Sequence, residues 1–206
     1  MNDKIKSLLG ILFIVALFII VSYFVRQNSE LVKTFIGDGI AGILIYILTV
    51  IVAIVVAPIS MVPFIPIAST IWGWFYAAVF SIIGWSLGAF AVFFISRKFG
   101  VPLVRKFVSF EKINKIEGKI PAEDLFFSII LLRMIIPVDV LSYAISLFTK
   151  VDFKTYASAT IIGITPFAFV FSYLGVVPFI YQVEGFIVSA LIVILISYFY
   201  KKRYKK

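Results

Sequence analysis

Two oppositely charged residues, Arg133 and Asp139, lie within one otherwise apolar stretch, residues 125–148, which reads LFFSIILLRMIIPVDVLSYAISLF. A charge near the centre of a bilayer costs from about 2.5 to more than 10 kcal/mol, so an ionisable residue there indicates a functional site. The guanidinium of arginine is planar, permanently charged and able to bind phosphate through two parallel hydrogen bonds. Arg133 therefore suits an anionic lipid headgroup, and Asp139 can hold the arginine in place while the site is empty.

Pro137 separates the two charged residues. On a continuous helix, six positions would place Asp139 about 240° around the axis from Arg133 and roughly 9 Å along it, too far to pair. Proline lacks a backbone N–H donor and disfavours helical geometry at the preceding residue, here Ile136. The sequence therefore predicts two half-helices that fold back at Pro137. Because irregular backbone at membrane depth needs protein or water around it, this turn is expected to face the protein interior.

A second proline-broken segment, residues 40–71, resembles the first in its pattern. It consists of an apolar run, a group of prolines, and a further apolar run. Paired interrupted segments in the two halves of a chain are the best sequence indication of a transporter site near the bilayer midplane. We therefore predict two facing re-entrant hairpins, 40–71 and 125–148, related as an inverted repeat. Five further residues are predicted to shape the turns or line the cavity between the hairpins: Pro58, Pro63, Pro137, Ser60 and Ser142.

The composition predicts an all-α polytopic membrane protein with about four to five transmembrane helices. Of 206 residues, 63% are hydrophobic and 14% are charged, and several charge-free runs reach the roughly 18 residues of a candidate membrane-spanning helix. The formal charge of +9 does not indicate nucleic acid binding, because every basic residue except Arg133 lies between or beyond the apolar runs. Cytoplasmic anchoring explains those basic residues better.

Catalytic and metal chemistry are disfavoured by what the chain lacks. Cysteine and histidine are both absent, which excludes disulfides, thiol nucleophiles, imidazole bases and the usual zinc ligands, so no metal or other cofactor is expected. Residues 84–88, GWSLG, match the G-x-S-x-G nucleophile pattern, but that motif requires a strand-turn-helix context and a histidine base. We interpret Gly84 and Gly88 as a packing face of a span over residues 73–96, and we expect no enzyme.

Three parts are expected along the chain. Residues 1–39 form an N-terminal transmembrane helix and an interfacial segment, residues 40–177 form the core with both hairpins, and residues 178–206 form a C-terminal transmembrane helix and a basic tail. Seven basic residues within 97–119 and the terminal KKRYKK both predict the cytoplasmic side. With four spans, both termini lie on the cytoplasmic side. The alternative is five spans with the amino terminus outside.

Three motifs follow one another between residues 96 and 166: SRKFG at 96–100, LLRMIIPVDVLSYAISL at 131–147, and VDFKTY at 151–156 with GITP at 163–166. Their order and spacing resemble the VTT domain of the DedA and SNARE-associated Golgi protein superfamily, over roughly residues 58–175. The resemblance implies facing re-entrant hairpins and movement of lipids across the bilayer. In the proton-linked bacterial branch it also implies acidic residues in the first hairpin, whereas residues 58–66 here, PISMVPFIP, contain no carboxylate.

Three classes of function are compatible with these residues. The first is a lipid transporter of the bacterial cell membrane, either a phospholipid scramblase or a polyprenyl-phosphate flippase, with phosphate-bearing lipids as its partners. The second is a proton- or ion-coupled transporter of a small solute, and the third is a non-transporting membrane-organising protein. A polar solute would require more polar residues along the cavity than this chain offers, so lipid transport is favoured.

Overall fold

The computed structural model describes residues 3–56, 60–107, 120, 124–136 and 138–204. Every regular element in these ranges is helical, which confirms the all-α prediction. The helices are α1 (Asp3–Gln27), α2 (Ser29–Ile36), α3 (Ile40–Val56), α4 (Ile65–Phe107), α5 (Leu125–Ile135), α6 (Val138–Phe148), α7 (Phe153–Leu174) and α8 (Phe179–Tyr204). A 3-10 turn at Val62–Phe64 leads into α4.

The described helices include four that are long and apolar enough to cross a membrane: Leu9–Gln27, Val62–Pro102, Phe153–Leu174 and Phe179–Tyr200. Helices α2 and α3 together form a fifth candidate, bent by 87° between its two parts. The predicted count of four to five spans is therefore confirmed, and the chain is an integral membrane protein with several crossings.

Helix α4 is too long for a single crossing. Its 43 residues would extend about 65 Å at 1.5 Å per residue, roughly twice the thickness of a bilayer's hydrocarbon core. Two glycines with positive φ interrupt it, Gly73 at 80° and Gly100 at 63°. Residues that carry a Cβ atom rarely adopt a positive φ, which explains why both breaks are at glycine. Residues 74–99 thus form one span, and residues 65–72 form a short piece whose first turn contains the last proline of the first group, Pro66.

The chain breaks at both places where the sequence predicts a break. Helix α5 ends at Ile135, Ile136 is extended with φ −117° and ψ 136°, and α6 begins at Val138. Helix α3 ends at Val56, and the 3-10 turn follows after Ser60. Pro58 and Pro137 themselves lie outside the described residues. Entry of the two broken segments from opposite membrane faces stays a prediction.

Gly84 and Gly88 form a packing face of α4, as predicted, and the helix that packs on this face is α3. A Cβ atom on Gly84 would lie 2.8 Å from Val50 Cγ1, and one on Gly88 would lie 3.0 Å from Ile54 Cβ. Val50 and Ile54 are buried and also four positions apart, so they form a ridge on α3 that fits the surface left open by the glycines. Ser86 lies between the glycines within the helix, not in a strand-turn-helix context.

Replacing Gly84 with valine is expected to lower the melting temperature of the purified protein. The new side chain would overlap Val50, and overpacking of this kind costs typically about 1–3 kcal/mol. The matched control is Gly10→Val on α1, because a Cβ atom there has nothing within 4 Å. Equal melting temperatures for the two variants in the same detergent would contradict this packing.

The packing of α7 brings the second broken segment into the core. Helix α7 packs against α4 and α5, and α4 also packs against α3 and α6. Tyr143 of α6 and Tyr156 of α7 are the largest side chains that the described core buries completely. The polar residues of α5, α6 and α7 therefore meet in the interior of the protein.

Candidate functional site

Arg133 lies in the last turn of α5, beside Gly163 of α7. A Cβ atom on Gly163 would lie 2.7 Å from Arg133 Cβ and 3.0 Å from the carbonyl oxygen of Ile130. The absence of a side chain at Gly163 therefore allows α5 to approach α7 at this point. Gly163 is in the middle of the 22 residues of α7, a helix about 33 Å long. The backbone of Arg133 is thus level with the centre of a membrane-crossing helix.

The described hydrogen bonds of the Arg133 guanidinium all go to oxygen atoms of uncharged groups. Its Nη1 donates to the Val138 carbonyl at 2.7 Å and to Ser142 Oγ at 2.8 Å. Its Nη2 donates to the Tyr156 hydroxyl at 2.9 Å and to Thr160 Oγ1 at 3.0 Å. The residue is 4% exposed. These hydrogen bonds connect α5 to α6 and α7 and fix the direction of the side chain.

The Nε–H group of Arg133 is buried and has no hydrogen-bond partner among the described residues. The guanidinium carries five N–H donors, and the four on its terminal nitrogens are those already described. A buried donor without an acceptor, especially on a charged group, is costly. This N–H group can donate a hydrogen bond to an oxygen atom of a ligand.

The Arg133 side chain extends from the middle of α7 toward the helix's N-terminal end. Its acceptors Thr160 and Tyr156 precede Gly163 by three and seven positions, or roughly 5 and 10 Å along the axis. Long basic side chains commonly extend in this way toward the nearer polar surface of a membrane. The charge is therefore closer to one end of the bundle than the backbone that carries it.

The N-terminal end of α7 is fixed by Asp152. Its carboxylate accepts a hydrogen bond from the Thr155 backbone N–H at 2.9 Å and another from Thr155 Oγ1 at 2.7 Å. These bonds lower the pKa of the Asp152 carboxyl below its ordinary value. This is a normal N-cap arrangement, and it sets the start of α7 one turn before Tyr156.

Tyr156 connects the Arg133 site to α4. Its hydroxyl accepts from Arg133 and donates to the Ala89 carbonyl oxygen at 3.0 Å. Its ring stacks on Phe93 with 4.6 Å between centroids. The side chain is completely buried, so this single residue joins α4, α5 and α7.

Replacing Tyr156 with phenylalanine is expected to lower the melting temperature and the transport rate together. The ring keeps its contact with Phe93, while Arg133 loses one acceptor and the Ala89 carbonyl loses its donor. Hydrogen bonds that involve a charged group contribute about 1.5–3 kcal/mol. Tyr173→Phe is the control on the same helix, because Tyr173 is 52% exposed. A Tyr156→Phe protein as stable and as active as Tyr173→Phe would contradict the role of this hydroxyl.

The two broken segments are in direct contact through Tyr143. Its hydroxyl donates to the Val55 carbonyl oxygen at 2.5 Å, connecting α6 with the last turn of α3. The last carbonyls of a helix have no partner within it, so this bond satisfies one of them. Helix α6 of the second broken segment therefore contacts the end of α3 in the first.

The predicted site residues divide into three groups. Ser142 is fully buried and binds Arg133 directly. Pro63 is buried in the 3-10 turn, which packs against α1, and Ser60 lies half-buried just before this turn. Neither residue is among the described hydrogen-bond partners of Arg133. Pro58, Pro137 and the side chain of Asp139 lie outside the described residues, so the pairing of Arg133 with Asp139 stays a prediction.

Sequence reasoning missed Tyr156, Thr160 and the Ala89 carbonyl. A usable signal was present, since Tyr156, Thr160 and Gly163 are spaced by four and three residues in an apolar span. Residues at such spacing lie on one face of a helix. A face with two hydroxyls and a glycine within a membrane helix indicates a polar partner on the neighbouring helix, and that partner is Arg133.

A family model described as the VTT domain matches residues 57–177. The match covers more than half of the chain and includes Arg133 together with Val138, Ser142, Tyr156 and Thr160. Comparison with the curated proteins and with the solved structures gave no match.

Proposed function

The chain belongs to the VTT-domain family of the DedA and SNARE-associated Golgi proteins, and we propose that it moves phosphate-bearing lipids across the bilayer. The family is membrane-associated and is implicated in transport or lipid-related roles. The observation that carries the proposal is the buried guanidinium of Arg133, whose described hydrogen bonds all go to uncharged oxygens.

A phosphate group supplies what the described acceptors of Arg133 do not. Hydroxyl and carbonyl oxygens accept hydrogen bonds but carry no negative charge, whereas a buried cation is stabilised best by a paired anion. Phosphate also offers two oxygens in the geometry that a guanidinium prefers. An anionic headgroup is therefore the ligand that fits this cation best.

The hydroxyls around Arg133 allow protein oxygens to be exchanged for phosphate oxygens. Ser142, Tyr156 and Thr160 each carry an O–H that can donate as well as accept. When a phosphate replaces them as the acceptor for Arg133, Ser142 and Thr160 can rotate and donate to the phosphate. The proposed cycle contains binding and release only, with no covalent step and no cofactor.

The surroundings of the guanidinium favour a lipid over a polar solute. Ile129, Leu132, Leu141 and Ile145, all fully or almost fully buried, form the neighbouring turns of α5 and α6. Apolar surroundings of this kind suit the part of a lipid next to its headgroup, while the tails stay in the hydrocarbon. They provide few groups that could replace the hydration shell of a sugar or an ion.

The proposal is tested with purified protein in liposomes. Labelled phospholipid and labelled undecaprenyl phosphate are followed side by side, without nucleotide, with a pH gradient supplied and withheld. We expect faster transbilayer movement of at least one lipid than in protein-free vesicles, and comparison of the two separates a scramblase from a polyprenyl-phosphate flippase. If neither lipid moved under either condition, the solute transporter and the membrane-organising protein would replace this proposal.

The proposed location is the bacterial cell membrane, with the carboxyl terminus in the cytoplasm. Because the chain has no cysteine, Lys98→Cys, Lys202→Cys and Tyr181→Cys would each contain a single thiol at an exposed position. We expect the first two thiols to react with a membrane-impermeant reagent only from the cytoplasmic side and the third only from outside. Labelling of Lys98→Cys from outside would contradict this orientation.

A further inference from the structure

Four side chains form a continuous stack from the surface of the bundle to the candidate site: Arg97, Phe93, Tyr156 and Arg133. The guanidinium carbon of Arg97 lies 5.0 Å from the centroid of the Phe93 ring. Phe93 and Tyr156 stack with 4.6 Å between centroids, and the guanidinium carbon of Arg133 lies 5.4 Å from the Tyr156 ring. We call this set the arginine–aromatic stack.

The two arginines occupy different depths. Arg97 is exposed, whereas Arg133 is 4% exposed. Arg97 also lies eight positions beyond Ala89 on α4, or about 12 Å along the axis, and Ala89 is the residue whose carbonyl binds Tyr156. The stack therefore begins at the end of the span and reaches the guanidinium of the buried arginine.

We propose that Arg97 is an outer binding position for the phosphate group, from which the headgroup passes along the stack to Arg133. This inference rests on the proposed function and adds a second residue to the path of the lipid. The described hydrogen bond of Arg97 runs from Nη2 to the Val151 carbonyl at 3.0 Å. This bond uses one of the five N–H donors of the guanidinium. The bond holds the Arg97 side chain in place and leaves other donors for a phosphate.

The aromatic rings between the two arginines help to orient both guanidiniums. A guanidinium on an aromatic face gains an electrostatic attraction of about 0.5–2 kcal/mol, and a ring offers no carboxylate that would compete with phosphate. The partly exposed Arg97 and the buried Arg133 are thus both oriented and both able to bind an anion. Phe93 and Tyr156 act as positioning residues for the two cations.

Charge around Arg97 also favours an anion at this end of the bundle. Lys150 and Lys154 are exposed in the segment around Val151, to which Arg97 is hydrogen-bonded. Asp152 is the negative group beside them, and its described hydrogen bonds go to Thr155. Clustered positive charge raises the local concentration of anions, so a phosphate headgroup would reach Arg97 before it reaches the interior.

Lys98 provides a matched control for Arg97. It is the next residue on α4, it is exposed, and its Nζ lies 5.3 Å from the Phe99 ring. It has the same formal charge but is not a member of the arginine–aromatic stack. A role of general surface charge would give the two residues equal importance, whereas the proposal assigns the effect to Arg97.

The test measures the initial transport rate against the fraction of phosphate-bearing lipid in the liposomes. Arg97→Gln is expected to raise the lipid fraction for half-maximal rate about tenfold, as the loss of one charge-assisted hydrogen bond implies, with little change in the maximal rate. Arg133→Gln is expected to lower the maximal rate instead. Lys98→Gln should behave as the wild type, and Arg97→Lys should recover part of the loss because it keeps the charge.

A binding measurement separates failure of this inference from failure of the proposed function. Native mass spectrometry in detergent would compare retention of phosphatidic acid with retention of diacylglycerol of the same tails. If the wild type retained phosphatidic acid through Arg97 but moved no lipid, transport would be refuted and the outer position supported. Equal effects of Arg97→Gln and Lys98→Gln, or no effect of Arg97→Gln on either measurement, would overturn the inference.

Discussion

Replacing Arg133 with glutamine is expected to reduce lipid movement in liposomes on the order of 100-fold while the protein still inserts and purifies. Each hydrogen bond from a charged donor contributes about 1.5–3 kcal/mol, and a phosphate held by two of them loses both together with the charge. Glutamine is polar and of intermediate length, so the hydroxyls of Ser142 and Thr160 keep a possible partner. The measurement is the initial rate of transbilayer movement at equal protein content.

Two further variants show which property of Arg133 matters. Arg133→Lys keeps the positive charge but loses the planar pair of donors, so we expect a rate between those of the wild type and Arg133→Gln. Asp139→Asn should reduce the rate less than either, because it leaves the cation in place. A monodisperse Arg133→Gln protein with the wild-type rate would show that the guanidinium does not bind the headgroup.

Replacing Gly163 with alanine is expected to lower both the melting temperature and the transport rate. The added Cβ would lie 2.7 Å from Arg133 Cβ and 3.0 Å from the Ile130 carbonyl, and both of these atoms belong to α5 near its end. Neither can move aside as a flexible side-chain tip would, so α5 must shift away from α7. Overpacking of this kind costs about 1–3 kcal/mol, and the shift also displaces Arg133 from its acceptors.

Gly10→Ala is the matched control for this substitution. A Cβ atom on Gly10 has nothing within 4 Å, so the change should leave transport intact and raise the melting temperature slightly through better helix propensity. Both variants add the same single methyl group to a helix of the same protein. If Gly163→Ala and Gly10→Ala had the same melting temperature and rate, the close approach of α5 and α7 would not matter for function.

The features predicted correctly depend on local sequence. The breaks after Val56 and Ile135 follow from prolines, which act on their immediate neighbours. The packing face at Gly84 and Gly88 follows from their spacing on one side of a helix. Such signals require no knowledge of which helices are neighbours, so the sequence alone carries them.

The composition of the Arg133 site depends on which helices pack together, and the sequence left that open. The nearest opposite charge along the chain, Asp139, was the natural candidate partner. The described acceptors include Tyr156 and Thr160, which come from α7, 23 and 27 positions away. Tyr156 and Thr160 can approach Arg133 because Gly163 lets α5 lie close to α7 and because α7 packs against α4. This packing is seen only in the tertiary structure.

The span of α4 was also predicted only in part. A crossing over residues 73–96 was expected, and the helix continues to Phe99 before the break at Gly100. That extra turn carries Arg97 to the level of Val151, where it binds the carbonyl and stacks on Phe93. The sequence indicates a basic segment here, but it does not show that the first arginine of this segment, Arg97, stacks on Phe93.

The most direct test of headgroup binding at Arg133 uses a thiol placed beside it. Thr160→Cys would introduce the sole cysteine of the chain, at a side chain whose Oγ1 lies 3.0 Å from Arg133 Nη2. Alkylation of this thiol is timed in liposomes that contain either phosphatidic acid or diacylglycerol with the same tails, after the variant is shown to retain transport. We expect phosphatidic acid to slow the reaction and diacylglycerol to leave it unchanged. Measurable and equal reaction rates with both lipids would contradict the presence of the headgroup at this site.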